Sequence, residues 1–195
     1  MVYLRAINAP LRAAAGLTMD LFPLVKANQF GADLIYVKTE VVREAATIIM
    51  LAAVAAASTR TFPGWLAAFS IVFGAWDLSF YVTLRALLGW PGSLMTWDLL
   101  FLIPVPWVGP VLAPSIVSIS LVGGGILGLA REPRRIDWIT WVLLIAGGAM
   151  IFAAFIWDWR YIVDGGYPRW FPWGLFCAGE LAGIAGVARA QWRYS

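Results

Sequence analysis

The residues best suited to chemistry lie in one otherwise apolar stretch, from Trp76 to Trp107. Asp77, Tyr81 and Asp98 carry groups that bind or release protons, and Arg85 carries a permanent positive charge. Such groups are costly to bury in apolar surroundings unless each has a partner or a function. This stretch therefore holds the first candidates for a functional site.

The composition of the chain explains why these residues stand out. Hydrophobic residues make up 62% of its 195 residues and charged residues only 13%, which is outside the range of soluble domains. The apolar runs are continuous and lack the alternating pattern of a membrane barrel. We therefore predict an all-α fold, a polytopic integral membrane helical bundle.

An acid beside a break in a membrane helix is one way to build a cation or proton site. Prolines such as Pro104 and Pro106 leave nearby carbonyl oxygens without helical partners, and transporters use such breaks to bind ions. Asp77 is predicted to face this break, with Tyr81 close by and Glu180 at a similar depth. We predict a transport or binding site formed by these five residues.

The same acids can instead serve packing. Asp77 could accept a hydrogen bond from a tryptophan indole, from Tyr81, or from Ser115 or Ser118 on a neighbouring helix. Such a bond stabilises a membrane bundle by about 1 kcal/mol. The sequence leaves both roles open for Asp77, and a packing role is equally open for Glu180.

Arg85 and Asp98 are predicted to form a structural ion pair. If two antiparallel helices meet at a turn between Pro91 and Gly92, both side chains lie at one depth, about 10 Å into their helices. Opposite charges at one level in a membrane are expected to pair. Their predicted role is to hold the two helices together.

Glu40, Arg43 and Glu44 form a second charged group, near the start of the first apolar run. Spacings of three and four residues place them on one side of a helix. We predict a solvated or paired cluster close to a membrane surface.

Six transmembrane helices are predicted, of which the third is short and broken by proline. They cover about 35–58, 64–89, 94–105, 108–130, 137–157 and 172–190. Together, residues 35–195 are expected to form a single bundle. Residues 1–34 mix charged and apolar residues and contain Pro10 and Pro23, so we predict an amphipathic segment on the membrane surface.

The topology depends on whether the 94–105 segment crosses the membrane. If it crosses and both termini are cytoplasmic, 11 of the 14 lysines and arginines are cytoplasmic; if it does not cross, only six are. Cytoplasmic loops retain positive charge, so we predict six spans with both termini cytoplasmic, in a bacterial inner membrane. Ten of the 12 tryptophans fall near predicted helix ends, which is typical of an aromatic belt.

Missing residue types narrow the possible chemistry. The chain has no histidine and one cysteine, so we expect no haem, zinc or iron–sulfur ligation by its own His or Cys side chains. The cofactor question is otherwise open. The net charge of +3 comes from basic residues near predicted helix ends, so we expect the lipid bilayer as a partner and no nucleic acid.

Three functions remain open. The first is transport or conduction of a small cation, proton or solute past buried carboxylates. The second is a non-catalytic accessory subunit of a larger membrane complex, in contact with lipid, quinone or pigment, either in a homo-oligomer or with other subunits. The third, an intramembrane enzyme acting on lipid, is disfavoured because no nucleophile or metal site is recognisable.

Overall fold

The structure is a computed structural model that describes residues 35–131, 136–164 and 168–193. The predicted amphipathic segment, residues 1–34, lies outside the described residues. The elements are α1 (Ile35–Ser58), α2 (Phe62–Leu88), β1 (Trp97–Phe101), β2 (Trp107–Pro110), α3 (Leu112–Arg131), α4 (Trp138–Phe155), α5 (Trp159–Val163) and α6 (Trp173–Arg193).

Five of the predicted helices occur, each within four residues of its expected ends, as α1, α2, α3, α4 and α6. Local chemistry sets some of these ends. The Thr61 hydroxyl accepts a hydrogen bond from the Gly64 N–H at the start of α2. Gly89 ends α2 with a φ of 65°, a left-handed conformation that glycine adopts without steric cost.

Four stretches of the described chain are long and apolar enough to cross a membrane: Lys38–Ser58, Phe62–Leu88, Leu112–Ala130 and Trp138–Val163. Large apolar side chains such as Ile49, Ile126 and Ile145 point outward, whereas four acidic side chains are buried: Glu44, Asp77, Asp98 and Glu180. A water-soluble bundle has the opposite arrangement. The surface and the four helices fit an integral membrane protein.

The predicted third helix, 94–105, is wrong: this segment forms one strand of a β-hairpin. β1 and β2 are antiparallel, with Trp97 opposite Pro110 and Leu99 opposite Val108. Each strand of a two-stranded sheet has one free edge. Pro110 in β2 has no backbone N–H to donate, and a proline is tolerated in such an edge strand. The remaining prolines, Pro104 and Pro106, lie in the loop between the strands, where a helix would be broken.

Two further hydrogen bonds close the base of this hairpin. The N–H of Val111 donates to the Thr96 carbonyl at 2.9 Å, and the N–H of Leu112 donates to the Leu94 carbonyl at 2.7 Å. The segment 94–112, here called the re-entrant hairpin, therefore starts and ends at the same end of the bundle. Because this hairpin does not cross the bundle, the count of cytoplasmic lysines and arginines that favoured six spans no longer applies. The same holds for the prediction, based on that count, that both termini are cytoplasmic.

Glycines bring the helices into close contact in two antiparallel pairs. A Cβ added at Gly125 of α3 would lie 2.6 Å from the Ala67 carbonyl oxygen of α2. A Cβ added at Gly147 of α4 would lie 2.7 Å from the Gly179 carbonyl oxygen and 2.8 Å from the Gly183 nitrogen of α6. Direct backbone contact of this kind is typical of membrane helices.

Contacts between α3 and α6 join the two pairs. Glu180 meets Ser120, and Val187 packs against Gly124, so α3 and α6 run parallel. Successive long helices of the described chain therefore alternate in direction, and Ile35 and Arg193 lie at opposite ends of the bundle. We call the end with the base of the re-entrant hairpin the hairpin end, and the other the opposite end.

At the opposite end, Asp137 ties the start of α4 to the end of α6. Its carboxylate accepts from the Thr140 N–H at 3.0 Å and from the Arg189 guanidinium at 2.9 Å. The hydrogen bonds from Thr140, together with those from Arg189, hold the pKa of Asp137 well below its usual range.

Stability is expected to depend on pH through Asp137. Because its pKa is lower in the folded state, its contribution is complete above the unfolded pKa of about 3.8 and is lost as the pH falls toward the folded value. Asp137→Asn keeps a helix-capping side chain but removes the charge. Thermal unfolding in detergent should give a lower Tm for the variant at pH 7 and a smaller difference at pH 3. A difference that is the same at both pH values would contradict this linkage.

Candidate functional site

The re-entrant hairpin is enclosed by protein on both faces. On one face, the ring of Phe101 stacks on Phe73 of α2, with 6.0 Å between centroids, and the Trp107 indole meets Phe152 of α4 edge to face at 4.9 Å. On the same face, Gly109 lies so close to Phe155 that an added Cβ would be 2.8 Å from its ring. On the other face, Leu99 and Val108 pack against Ile162 of α5. Irregular backbone at membrane depth requires such enclosure.

Protein groups also satisfy backbone atoms at the tip of the hairpin. The Trp107 indole N–H donates to the Ile103 carbonyl at 2.8 Å. The Glu44 carboxylate of α1 accepts from the Leu102 N–H at 2.9 Å. The acid that contacts the chain beside Pro104 is therefore Glu44.

Sequence reasoning placed Glu44 in a solvated or paired cluster, and this is wrong for Glu44, which is buried. Its neighbours follow the prediction, since Glu40 and Arg43 form an ion pair. The spacing along α1 correctly places Glu44 beside that pair, but the hairpin covers Glu44. Because the sequence predicted a helix in place of the hairpin, it did not indicate the contact between Glu44 and Leu102.

Removing the Glu44 carboxylate is expected to loosen the hairpin tip. Glu44→Ala leaves the partly buried Leu102 N–H without its acceptor, at a cost of about 1 kcal/mol. Glu44→Gln keeps an acceptor oxygen and serves as the matched control. Hydrogen–deuterium exchange of peptides covering 97–110 should be faster in the alanine variant alone. Equal protection in both variants and the wild type would show that Glu44 does not hold the hairpin.

Two acids and two hydroxyl groups meet where α2, α3 and β1 pack together. The Ser118 hydroxyl of α3 donates to Asp77 at 2.8 Å, and the Tyr81 hydroxyl donates to Asp98 at 2.9 Å. Asp77 and Tyr81 are one turn apart on the same face of α2. All four side chains are buried. We call Asp77, Tyr81, Asp98 and Ser118 the acid site.

Arg85 makes different contacts from the predicted ion pair with Asp98. One terminal nitrogen of its guanidinium donates to the carbonyl oxygens of Gly89 and Pro91, both at 2.7 Å. The predicted pairing assumed that Asp98 lay on a helix at the depth of Arg85. Because Asp98 lies on β1, it meets Tyr81 one turn deeper, and Arg85 holds the turn after α2.

Glu180 lies apart from the acid site. It is buried and accepts from the Ser120 hydroxyl of α3 at 2.8 Å. Ser118 and Ser120 are two residues apart, which is about 200° around a helix but only about 3 Å along it. Asp77 and Glu180 therefore contact α3 at nearly the same level, but on opposite faces.

Of the five residues predicted for one site, the structure brings Asp77 and Tyr81 together. Pro104 and Pro106 lie in the hairpin loop, next to the Glu44 contact, and Glu180 lies beyond α3. Asp98, predicted as a structural residue, joins the site through Tyr81. Finding it required knowing that the segment after the turn is a strand.

Hydroxyl partners suit a carboxyl group that changes its protonation state. A hydroxyl donates to a carboxylate, and the same hydroxyl oxygen accepts from a protonated carboxyl group, so either state keeps a hydrogen bond. An arginine partner would hold the acid in its charged form only. Within the residues that the structure describes, no three His, Cys, Asp or Glu side chains are grouped as metal ligands. The hydroxyl partners of the acid site suit groups that bind and release a proton.

No protein family, curated protein or solved structure matches this chain. Its function is therefore inferred from the acid site, the re-entrant hairpin and the apolar helices.

Proposed function

We propose that the protein transports protons, or another small cation, across a membrane, and that Asp77, Tyr81 and Asp98 handle the transported ion. The supporting observation is the acid site itself, where two buried carboxyl groups meet hydroxyl partners between α2, α3 and β1. Such partners allow each acid to gain and lose a proton while its surroundings stay in place.

The energetic balance favours a functional role for Asp77. An aspartate at the centre of a membrane helix costs about 2.5–3.5 kcal/mol on the insertion scale. A hydrogen bond between membrane-embedded side chains contributes about 0.6 kcal/mol on average. The bond from Ser118 therefore offsets only part of the cost of Asp77, and an apolar residue would serve packing better.

The geometry also supports a path for the ion. Asp98 and Tyr81 are joined by a hydrogen bond of 2.9 Å, and Asp77 follows one turn, about 5.4 Å, further into the bundle. Glu44 provides another buried carboxylate at the hairpin tip. The proposed path enters at the hairpin end, passes Asp98 and Tyr81, and reaches Asp77.

We propose a bacterial inner membrane as the location, because outer-membrane proteins are built as barrels and this chain is built from helices. We also propose that α6, which packs antiparallel to α4, is a fifth crossing. Ile35 and Arg193 would then lie on opposite sides of the membrane.

Flux measurements in proteoliposomes test this proposal. Purified protein is reconstituted with a pH-sensitive dye inside the vesicles, and a potassium diffusion potential drives cation entry. We expect faster acidification than in protein-free vesicles, with a rate that changes with pH. A panel of Na⁺, K⁺ and Li⁺ gradients then separates proton transport from transport of another cation. Wild-type vesicles that match protein-free vesicles for every ion would refute transport.

The second candidate is a non-catalytic subunit of a larger membrane complex. The bonds from Ser118 to Asp77 and from Ser120 to Glu180 favour it, because both acids have the partners that a packing role requires. Co-purification of stoichiometric membrane partners in mild detergent, together with absence of flux, would support this function over transport.

A further inference from the structure

Arginines collect at the opposite end of the bundle. Within residues 35–131, 136–164 and 168–193, four arginines and one acid lie there: Arg60, Arg131, Arg189, Arg193 and Asp137. Asp137 is already in use, because it accepts from Arg189 and caps α4. Helix dipoles change the charge little, since three long helices end at this level and two begin there. This end of the described chain therefore has an excess of three positive charges.

Two of these arginines end neighbouring helices at nearly the same level. The parallel helices α3 and α6 touch where Val187 packs against Gly124. Arg131 ends α3 seven positions after Gly124. Arg193 ends α6 six positions after Val187. At 1.5 Å per residue, each lies about 9–11 Å beyond that contact, so the two helix ends place a pair of arginines side by side.

Arg60 adds a third arginine, in the turn between α1 and α2. It is exposed, and no acid in the described part of the chain forms an ion pair with it. The ring of Phe62, two residues later, stacks on Trp141 of α4 at 5.9 Å, so this turn lies beside the start of α4. The Arg60 guanidinium is therefore available to an anion from outside the bundle.

We propose that Arg60, Arg131 and Arg193 bind the phosphate groups of anionic phospholipids, such as phosphatidylglycerol. Arginine binds phosphate oxygens through several N–H donors at once, and basic clusters at the ends of membrane helices attract anionic lipids. A zwitterionic lipid also carries an ammonium group, which needs an acid. The one acid at this end of the described chain, Asp137, is held by Arg189. The excess positive charge therefore selects for a lipid with a net negative charge.

Exposed tryptophans place these arginines at the level of the lipid headgroups. Trp138 at the start of α4 is 73% exposed, and Trp192, directly before Arg193, is 86% exposed. Tryptophans collect at the boundary between membrane and water, where an amphipathic ring is stable. A phospholipid supplies both a phosphate for the arginines and apolar chains for these rings. A soluble anion supplies only the first, so the arrangement favours a lipid.

Lipid titration followed by native mass spectrometry tests the site. Full-length protein in detergent is titrated with phosphatidylglycerol, phosphatidylethanolamine and phosphatidylcholine in equal amounts. We expect the wild type to bind phosphatidylglycerol most tightly. Each arginine near an anionic lipid surface strengthens binding about fivefold. The apparent Kd for phosphatidylglycerol should therefore rise at least tenfold in the double variant that combines Arg131→Gln with Arg193→Gln.

The matched control combines Lys38→Gln with Arg160→Gln, which removes two exposed basic side chains from the hairpin end and gives the same net charge. This variant should bind phosphatidylglycerol as the wild type does. Equal weakening in both double variants would overturn the proposal, because net charge alone would then attract the lipid. So would equal affinity of the wild type for all three lipids.

A single variant, Arg60→Gln, keeps the test decisive if the double variant does not fold. Arg60 lies in an exposed turn, so its replacement should leave the thermal unfolding midpoint unchanged and weaken phosphatidylglycerol binding about fivefold. Wild-type affinity in this variant would contradict a site that includes Arg60. Competition with glycerol phosphate separates a lipid site from a soluble-anion site. Displacement of phosphatidylglycerol by an equal concentration of glycerol phosphate would overturn the assignment to lipid.

Discussion

Asp77→Asn is expected to abolish flux while the protein stays folded. The asparagine carbonyl oxygen can accept the same hydrogen bond from Ser118 that Asp77 accepts at 2.8 Å, so the contact between α2 and α3 survives. The amide cannot bind and release a proton near neutral pH. Proteoliposome flux should therefore fall to the level of protein-free vesicles, with an unchanged elution volume and thermal unfolding midpoint.

Glu180→Gln is the matched control for this prediction. Glu180 is also a buried acid with a serine partner on α3, but it lies on the other face of that helix. Its variant should keep most of the wild-type flux. Ser118→Ala removes the partner of Asp77 and keeps the acid, so it should keep flux with an altered pH dependence. Loss of flux in Glu180→Gln, with flux retained in Asp77→Asn, would contradict the acid site and favour a site beyond α3.

Gly147→Leu is expected to force α4 and α6 apart. The first added atom, Cβ, would lie 2.7 Å from the Gly179 carbonyl oxygen and 2.8 Å from the Gly183 nitrogen, and both belong to the backbone. Backbone atoms cannot rotate away as a side chain can. The loss of folding free energy should therefore be at least that of a typical overpacked core, about 1–3 kcal/mol. Thermal unfolding of the purified variant should show a clearly lower midpoint, and Arg189 should lose its contact with Asp137.

The neighbouring residue provides the control. Within the described chain, nothing lies within 4 Å of a Cβ added at Gly148, and that position is exposed. Gly148→Leu should leave the midpoint unchanged or raise it, since glycine is a poor helix former. Similar midpoints for the two leucine variants would mean that the α4–α6 contact is looser than the structure has it.

The long helices could be predicted from the sequence because each depends on a local pattern. α1 ends at Ser58, as predicted, because the continuous apolar run that follows its charged residues ends there. The re-entrant hairpin could not be predicted in this way. A strand buried on both faces is a short continuous apolar run, which periodicity does not distinguish from part of a helix.

The candidate site was predicted in part, for a related reason. Asp77 stands out because a single acid in an apolar run is visible in the sequence. The depth of Glu180 could be counted along its helix, but the face of α3 that it meets depends on how three helices pack. That packing follows from contacts such as that of Gly125 with Ala67, which involve residues nearly 60 positions apart.

The enclosure of the re-entrant hairpin also has a consequence for biogenesis. The part of this enclosure that contains Phe73 is synthesised before the hairpin, but the part that contains Phe152 and Phe155 is synthesised about 40 residues after the hairpin ends. A two-stranded sheet has unpaired backbone edges that lipid cannot satisfy. During membrane insertion, the hairpin should therefore wait at the headgroup layer until α4 has entered the bilayer. A nascent chain arrested after α3 should leave its tip, residues 102–106, open to labelling from water.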